Sequence, residues 1–449
     1  MKKYTADFET CTWLEDETYV WAYAVCEIGN ETNITIGNSL EDFMTLCKKS
    51  DNSTFYFHNL KFDGSFILNW CLNNGYEHIK SKKESKTKSF TTLISDTGLF
   101  YQITIWFYKN KNYVRKVIFY DSLKIIPMSV SDISKAFNLD ESKLQIDYNK
   151  PRPRENYELT QEEKDYIKND VVIVAKALDT LFNEKLTKMT QGSNALSDYK
   201  SMVDKNMFTY YFPALDKIVD KDIRKSYKGG FTYLNPTYKE KEVGSGVVLD
   251  VNSLYPYVMH EKLLPYGEPV YFEGKYEEDK IYPLYIQMIT CSFRLKKNKI
   301  PTIQIKGSYF FKGNEYLTSS ESYEGDIVCL TLTSVDLKLF FEQYDVNNIR
   351  YIAGYKFRAK QGLFTDYIDK WTKVKIESTK NGNKGKRTMA KLMLNSLYGK
   401  FATSLDTRSK TPYLENDILK YALGEEEDKK GLYIPTRKFY NFLCKRKNN

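Results

Sequence analysis

An aspartate that ends an apolar run, and is followed by a tight turn, constrains the fold of this chain more than any other feature. The run Gly246–Val251 is Gly-Val-Val-Leu-Asp-Val, and its β-branched residues predict a buried strand with Asp250 facing a cleft at its end. Residues 253–255 follow in a predicted turn that Pro256 closes. Phosphoryl transfer needs two divalent ions held by carboxylates that converge from separate strands, so Asp250 alone supplies half of such a site.

A second segment has helical spacing. Arg387, Lys391, Asn395 and Tyr398 are separated by steps of four, four and three residues, which puts them on one face of a predicted helix. Two cations one turn apart suit a triphosphate, and an aromatic ring one turn further suits a base and sugar. Gly399 would let the backbone approach a base pair closely. An ordinary amphipathic helix with a solvated charged edge is the alternative for Arg387 or Tyr398 taken alone.

The N-terminal part has four spaced carboxylates of its own. Asp7 and Glu9 alternate with period two, which puts both on one face of a first predicted strand. Asp63 ends a second strand-like run, and Tyr166 and Asp170 lie one turn apart where a helix is predicted to open. Such a set suits two-metal hydrolysis of a phosphodiester. A single acidic residue is usually only solvated, so the specific signal is the combination in this order.

These segments resemble a known family. Asp250–Pro256 and Lys391–Gly399 resemble motifs A and B of family B DNA polymerases. Tyr227–Gly230 resembles the YxGG element that links the exonuclease and polymerase halves of the protein-primed branch. The resemblance extends from about residue 4 to about residue 435. Further runs are similar to the same branch in tailed bacteriophages, namely Ile300–Lys306, Lys312–Leu317 and Gly362–Trp371.

For the N-terminal part, the resemblance implies a 3′–5′ exonuclease that uses Mg²⁺ or Mn²⁺. The implied metal ligands are Asp7, Glu9, Asp63 and Asp170. Tyr166 and Lys143 would assist the water and the scissile phosphate. Asn59 has a second interpretation as a turn residue that bonds its own backbone, and Phe62 or Tyr148 taken alone would more often be core. The implied DNA contacts are Thr10, Asn59, Phe62, Ser122, Leu123, Tyr148, Tyr227, Gly229 and Gly230.

For the polymerase part, the resemblance implies a nucleotide site divided between the two motifs. Asp250 and Val251 would bind the metal. Tyr255 would be a steric gate, because a ring beneath the incoming sugar leaves no room for a 2′-hydroxyl. The residues expected to bind the deoxynucleoside triphosphate are Tyr255, Arg387, Lys391, Asn395 and Tyr398.

The predicted fold is an α/β multidomain chain. A ribonuclease-H-like exonuclease domain precedes an incomplete family B palm with fingers and two insertions. The fingers are predicted as an antiparallel helical pair with a flexible basic tip at Lys380–Lys386. The expected boundaries are 1–187 for the exonuclease, 188–261 for the first part of the palm, 262–358 for a strand-rich insertion that holds the terminal protein and template, 359–400 for the fingers, 401–435 for a second insertion and 436–449 for an atypical basic tail.

Composition agrees with a nucleic-acid partner in a reducing compartment. The net charge of +9 suits a polyanion, since lysines and arginines release counterions from nucleic acid. Seven cysteines without a CxxC pair predict reduced thiols, and three histidines make a zinc site improbable. No apolar run spans a bilayer, and no signal peptide precedes the first strand. The expected location is the cytoplasm of a bacterial host, with the gene carried by a phage or prophage.

The sequence departs from the family after the second insertion. No Asp-x-Asp follows Gly399, whereas family members continue into the Asp-Thr-Asp of motif C and a thumb. Asp406-Thr407 is the superficial alternative, but it lies too close to the fingers helix to return across the palm. A frameshift, a premature stop or a split polymerase would each produce the basic tail.

The predicted function is a DNA-directed DNA polymerase of the protein-primed family B type with 3′–5′ exonuclease, acting in viral or mobile-element DNA replication. Its synthesis is expected to be impaired in this chain. The alternatives are an exonuclease alone, or a non-catalytic remnant that binds DNA or the terminal protein. Expected partners are template and primer DNA, deoxynucleoside triphosphates, the terminal protein and a separate chain that supplies motif C and the thumb. No membrane is expected.

Overall fold

Two compact units make up the protein. The structure is a computed structural model. It describes residues 2–14, 18–154, 157–304, 316–322, 327–403 and 408–423. The first unit comprises Met1–Asp198 and Asp369–Asn449, and the second comprises Tyr199–Ile368. The first unit thus contains the predicted exonuclease and most of the predicted fingers, while the finer predicted boundaries stay predictions. Asp406-Thr407, much of the Lys312–Leu317 run and the tail at 436–449 lie outside the described residues.

An eight-stranded mixed sheet forms the centre of the first unit. Across the sheet the strands follow the order β3-β2-β1-β4-β8-β7-β6-β5. The strand β1 pairs in parallel with β4, and β4 pairs in parallel with β8, so the carboxyl ends of these three strands meet at one edge. The strands are β1 (Lys3–Thr10), β2 (Val20–Glu27), β3 (Asn30–Gly37), β4 (Thr54–Phe57), β5 (Glu77–His78), β6 (Ser89–Ile94), β7 (Phe100–Lys109) and β8 (Val114–Asp121).

Helices cover both faces of this sheet. They are α1 (Leu40–Lys49), α2 (Leu60–Asn73), α3 (Val130–Phe137) and α4 (Gln161–Asn183). Phenylalanines of β1, β4 and β8 pack with α1 and α2 on one face. Ile167, Val171 and Ala175 of α4 pack against Ala22 and Ala24 of β2 on the other. The helix α4 starts at Gln161, after a capping box formed by Thr160 and Glu163, which agrees with the helical stretch predicted from about residue 160. Tyr166 lies in its second turn, so the prediction that Tyr166 opens this helix is corrected.

A four-stranded antiparallel sheet forms the centre of the second unit, in the order β11-β10-β12-β9. Ile289, Phe293, Phe340 and Tyr344 belong to its core. The predicted strand-rich insertion at 262–358 contains all four strands. The elements are β9 (Leu264–Glu273), β10 (Leu284–Leu295), β11 (Val328–Thr333), β12 (Tyr344–Lys360), α5 (Gln191–Met202, which leads from the first unit), α6 (Lys205–Tyr211), α7 (Lys217–Arg224), α8 (Leu254–Glu261) and α9 (Ser334–Gln343).

The predicted buried strand at Gly246–Val251 is wrong. Residues 239–253 form neither helix nor strand. Val247, Val248 and Leu249 are 84%, 97% and 89% exposed. An extended segment becomes a buried strand only when neighbours satisfy its hydrogen bonds and cover its side chains, and no described strand pairs with this one. The apolar run therefore lies open to solvent.

The predicted turn after Asp250 is also corrected. Ser253 adopts the left-handed conformation, with φ of 53°, and α8 starts at Leu254. Tyr255 and Pro256 thus lie in the first turn of a helix. Proline is tolerated there because the first amide hydrogens of a helix have no partner within it.

Two long helices and a hairpin complete the first unit. They are α10 (Thr365–Lys380), α11 (Lys384–Phe401), β13 (Lys410–Glu415) and β14 (Ile418–Leu423). The helical pair agrees with the predicted fingers, but α11 already contains Lys384 and Lys386, so the connection is shorter than the predicted tip. The Thr388 hydroxyl donates to the Ala136 carbonyl oxygen of α3 at 3.0 Å. On β14, the Tyr421 hydroxyl lies 3.1 Å from the Ser65 hydroxyl of α2.

Candidate active sites

Four carboxylates lie near one another around the carboxyl end of β1. Glu9 lies on this buried strand, Asp7 is partly exposed, and Asp63 and Asp170 are 3% and 4% exposed. The amide of Phe8, between the two β1 carboxylates, donates to Asp63 Oδ1 at 3.3 Å. The helix α4 is fastened to β1 because the Thr5 hydroxyl donates to the Val171 carbonyl oxygen, beside Asp170, at 2.8 Å. The predicted grouping of these four carboxylates is thus present.

Asp63 reaches this cluster by a route that the sequence did not predict. The strand β4 ends at Phe57, Asn59 has a φ of 87°, and α2 starts at Leu60. Asp63 therefore lies in the first turn of a helix, and the prediction that it ends a strand is wrong. The left-handed Asn59 reverses the chain, and asparagine is one of the few residues that adopt this conformation readily.

Burial and mutual repulsion raise the pKa values of these carboxyls. For Asp7, burial raises the pKa first, and the charge of Asp170 adds to it. For Glu9, burial and then the charges of Asp7 and Asp170 raise the pKa. The pKa of Asp63 is raised by burial and then by Asp7. A cluster of buried like charges is stabilised by bound cations, so this donor set fits divalent metal ions.

One buried oxygen of the cluster has no hydrogen-bond partner in the part of the chain that the structure describes. Asp170 Oδ2 lies 3.1 Å from Lys143 Nζ. Asp170 Oδ1 is buried and accepts no hydrogen bond from any residue that the structure describes. Among those same residues, no three Asp, Glu, His or Cys side chains meet as a ready-made metal site. Metal binding would therefore have to draw the carboxylates closer together, and Asp170 Oδ1 is the oxygen available for it.

Tyr166, Tyr148 and Lys143 border the cluster. The Tyr166 ring is buried, and its hydroxyl lies 2.5 Å from the Tyr148 hydroxyl. Burial raises the pKa of Tyr166, and the charge of Glu9 raises it further, so its hydroxyl stays protonated at neutral pH. Lys143 pairs with Asp170 and keeps 39% of its side chain exposed.

The other predicted DNA contacts of the first unit differ in their exposure. Phe62 and Tyr148 are 48% and 45% exposed, so both rings are available to a strand. Thr10 is buried and Leu123 partly buried. Ser122 is fully buried, and its hydroxyl donates to the Phe57 carbonyl oxygen at 3.0 Å, so its side chain would have to be uncovered before it could touch DNA.

Sequence reasoning missed Asp121 at the end of β8. This residue is 1% exposed. Its Oδ1 accepts the amides of Asn59 at 3.1 Å and Leu123 at 3.0 Å, and thereby joins the two segments that were predicted to hold the DNA end. Lys124 Nζ lies 3.4 Å from its Oδ2. Its position directly before the predicted DNA contacts Ser122 and Leu123 was the available signal in the sequence.

The predicted polymerase residues of the second unit lie on an open surface. Asp250 and Val251 are exposed, and Tyr255 is 44% exposed. A side-chain carbon built on Gly230 would lie 3.7 Å from the Tyr255 hydroxyl oxygen. The YxGG element and the tyrosine after Asp250 are thus neighbours. Tyr227 is 51% exposed, and Gly229 and Gly230 are also exposed.

The four residues predicted to bind the nucleotide through this segment lie on one face of α11. Its exposed side chains include Arg387, Lys391, Asn395 and Tyr398. Its opposite face buries Met389, Ala390, Met393, Leu394 and Leu397. The helical spacing prediction is therefore confirmed for this segment.

The chain belongs to the family of DNA polymerase type B, organellar and viral, whose model matches residues 44–153 and 146–449. The DNA polymerase of Bacillus phage M2 is 50% identical over 436 residues, which cover 97% of this chain and 74% of that protein. The DNA polymerase of Bacillus phage phi29 is 50% identical, with 97% and 73% covered. That of Streptococcus phage Cp-1 is 32% identical, with 98% and 77% covered.

Solved structures agree with these relatives. Phi29 DNA polymerase complexed with single-stranded DNA matches with a TM-score of 0.87 and 46% identity, over 95% of this chain and 72% of that one. The same polymerase complexed with primer-template DNA and incoming nucleotide substrates matches with a TM-score of 0.81 and 48% identity, over 95% and 73%.

These comparisons confirm the predicted family, multidomain α/β fold and enzyme class. The protein is a DNA-directed DNA polymerase of family B, similar to phage polymerases. It spans about three quarters of the length of its phage relatives. Polymerases of this family depend on divalent metal ions. Among the described residues, no helix is long and apolar enough to cross a membrane.

Proposed function

We propose that the first unit of this DNA polymerase removes nucleotides from the 3′ end of single-stranded DNA. The observation that supports this most is the carboxylate cluster around β1, in which Asp170 Oδ1 is buried without a partner among the described residues. Asp7, Glu9, Asp63 and Asp170 would hold Mg²⁺ or Mn²⁺. Bound divalent ions would lower the pKa of the attacking water and neutralise the charge of the leaving oxygen.

The chain's own residues would orient and protect this reaction. Lys143, beside Asp170 and partly exposed, would neutralise charge on the scissile phosphate. The protonated Tyr166 would donate a hydrogen bond to the water or the phosphate. Water adds to the phosphorus, the bond to the 3′-oxygen of the shortened strand breaks, and that oxygen takes up a proton. The exposed rings of Phe62 and Tyr148 would stack on the terminal bases.

The purified 449-residue chain should shorten a 5′-labelled single strand stepwise in Mg²⁺. The products would be a ladder of strands that have lost 3′ nucleoside monophosphates, and a chelator should stop the reaction. A strand with a blocked 5′ end serves as the control and should be degraded equally. Failure to degrade either strand, or degradation that requires a free 5′ end, would contradict the proposal.

For synthesis, we propose that α11 binds the deoxynucleoside triphosphate through Arg387, Lys391, Asn395 and Tyr398, and that Asp250 and Val251 bind a catalytic metal ion. The spacing of two cations on an exposed helix face supports the binding of the triphosphate by α11. The second carboxylate would come from a polypeptide equivalent to the unmatched quarter of the relatives, supplied by the same chain or a separate one. The exposed run Val247–Val251 would then gain the strand neighbours that it lacks among the described residues.

The remaining partners follow from the relatives. Solved relatives are complexed with single-stranded DNA, primer-template DNA and nucleotides, which supports the same partners here. A terminal priming protein would bind the strand-rich insertion of the second unit, and the host cytoplasm would be the place of action. The resemblance to the protein-primed branch of tailed bacteriophages supports these two points.

In an enzyme with a complete palm, Tyr255→Val should relax discrimination against ribonucleotides by roughly tenfold or more, the range for a lost steric contact. Its ring is exposed beside Gly230 and can lie beneath an incoming sugar. The measurement is competition of the two sugars opposite one template base. Tyr257→Val, on the same helix and 51% exposed, is the matched control and should keep full selectivity. Full selectivity against ribonucleotides in the Tyr255→Val variant as well would mean that Tyr255 only packs the palm.

A further inference from the structure

The first unit buries an arginine that the proposed reaction does not use. Arg152 is 1% exposed, and its Nε donates to Glu163 Oε1, itself 3% exposed, at 2.7 Å. Its guanidinium carbon lies 4.3 Å from the centre of the Trp21 ring, which covers one face. Burying such a charge is unfavourable unless its partners satisfy it well. The acceptors of its other N–H groups therefore show which part of the chain this arginine holds in place.

Those donors hold the backbone on both sides of Tyr148. Nη2 of Arg152 donates to the Asp147 carbonyl oxygen at 2.8 Å, and Nη1 donates to the Lys150 carbonyl oxygen at 2.9 Å. A rigid planar guanidinium holds two carbonyls and a carboxylate in fixed directions, whereas the three donors of a lysine ammonium diverge from a single nitrogen. Residues 139–154 form neither helix nor strand, so side chains have to supply the anchors that secondary structure gives elsewhere.

A third anchor holds Tyr148 itself. The Thr12 hydroxyl, two residues beyond the end of β1, donates to the Tyr148 carbonyl oxygen at 2.9 Å. The hydroxyl of Tyr148 meets that of Tyr166 at 2.5 Å. Arg152 is bound to α4 through Glu163, and Tyr166 lies on the same helix three residues later. The Arg152–Glu163 pair and the Tyr148–Tyr166 contact are therefore both anchored on α4.

We propose that Arg152 and Thr12 are positioning residues for the exonuclease, which hold the backbone at Tyr148 so that its hydroxyl stays against Tyr166. This inference rests on the proposed exonuclease function. An internal salt bridge that only stabilises the fold is the competing explanation. The two differ in their consequences, because a positioning residue has no effect once the group it positions is gone.

A double-mutant cycle separates the two explanations. Tyr148→Phe keeps the ring for stacking but removes the hydroxyl, so it should lower kcat and leave KM for single-stranded DNA unchanged. Arg152→Lys should do the same, with kcat reduced by about tenfold, since small misplacements at a reacting centre cost this much or more. In the Tyr148→Phe background, Arg152→Lys should change kcat less than about twofold. Independent, multiplying effects of the two substitutions would overturn the positioning role.

Thr12→Val gives a second arm in case the buried arginine cannot be replaced without unfolding. Thr12 is exposed and carries no charge, so its replacement should leave the melting temperature unchanged. Thr12→Val should lower kcat in the parent but change it less than about twofold in the Tyr148→Phe background. Arg154→Lys, an exposed arginine two residues away, is the matched control and should retain full activity. An active parent with a fully active Thr12→Val variant contradicts the positioning role alone, whereas an inactive parent contradicts the exonuclease itself.

Discussion

Replacing Asp7 and Glu9 by alanine together will lower the rate of 3′-end degradation by roughly 10³-fold or more, because losing metal ligands removes several kcal/mol of transition-state stabilisation. Both carboxylates lie at the carboxyl end of β1 next to Asp63 and Asp170. The measurement is single-turnover cleavage of a labelled single strand in Mg²⁺. A double variant with the parent's rate would mean that the site is misassigned.

The same double variant also has a predicted effect on the melting temperature. We expect this temperature to stay the same or to rise, whereas a substitution that damaged the fold would lower it. Burial raises the pKa values of Asp7 and Glu9 above their unfolded values, so without metal their charged forms destabilise the fold progressively as pH rises above the ordinary carboxyl range. In chelator at neutral pH, the double variant should therefore melt at or above the parent's temperature. Mg²⁺ should stabilise the parent only. The matched control, Glu158→Ala with Glu162→Ala, replaces two exposed carboxylates and should behave as the parent.

The 449-residue chain alone will show negligible primer extension, and fusion to the quarter of the Bacillus phage M2 polymerase that this chain does not match will restore it. The reason is that Asp250 has no second carboxylate motif after Gly399, and one carboxylate cannot hold both catalytic metals. Extension of a labelled primer on a defined template measures this, with an expected gain of orders of magnitude. Robust templated synthesis by the unfused chain would contradict the account.

Two controls make this fusion experiment specific. Asp250→Asn in the fusion should abolish synthesis again but leave the exonuclease intact, since the two sites use different carboxylates. Amide hydrogen exchange of Val247–Val251 should be fast in the 449-residue chain and slow in the fusion, because the exposed run would gain hydrogen-bonded strand neighbours. Fast exchange in a fusion that synthesises DNA would show that synthesis does not require the formation of that strand.

The features that sequence reasoning predicted correctly depend on local periodicity. Asp7 and Glu9 share a strand face because side chains alternate with period two, and Arg387 to Tyr398 share a helix face because of the helical repeat. The pairing of Tyr166 with Asp170 on one helix has the same basis. These patterns need no knowledge of what packs against them.

The features that sequence reasoning missed depend on residues distant in the chain. Whether Gly246–Val251 becomes a buried strand is decided by its neighbours, and its β-branched composition describes only its propensity. Asp63 was predicted at the end of a strand but lies in a helix, because Asn59 takes a left-handed conformation that ends the extended segment. The residues before Asn59 did not indicate this conformation. Arg152 lies outside helices and strands and binds backbone carbonyls and a carboxylate on α4, so no spacing pattern reveals it.

Replacing one oxygen of the 3′-terminal phosphodiester by sulfur gives the most direct test of two-metal hydrolysis at the β1 carboxylates. Sulfur binds the hard Mg²⁺ poorly and softer ions better, so a metal that contacts this phosphate makes the rate depend on the metal. The account predicts slow cleavage of the sulfur-containing strand by the parent chain in Mg²⁺ and recovery in Mn²⁺ or Cd²⁺, relative to the normal strand. Equal rates for the two strands in every metal would contradict direct metal contact with the phosphate and, with it, the proposed role of Asp7, Glu9, Asp63 and Asp170.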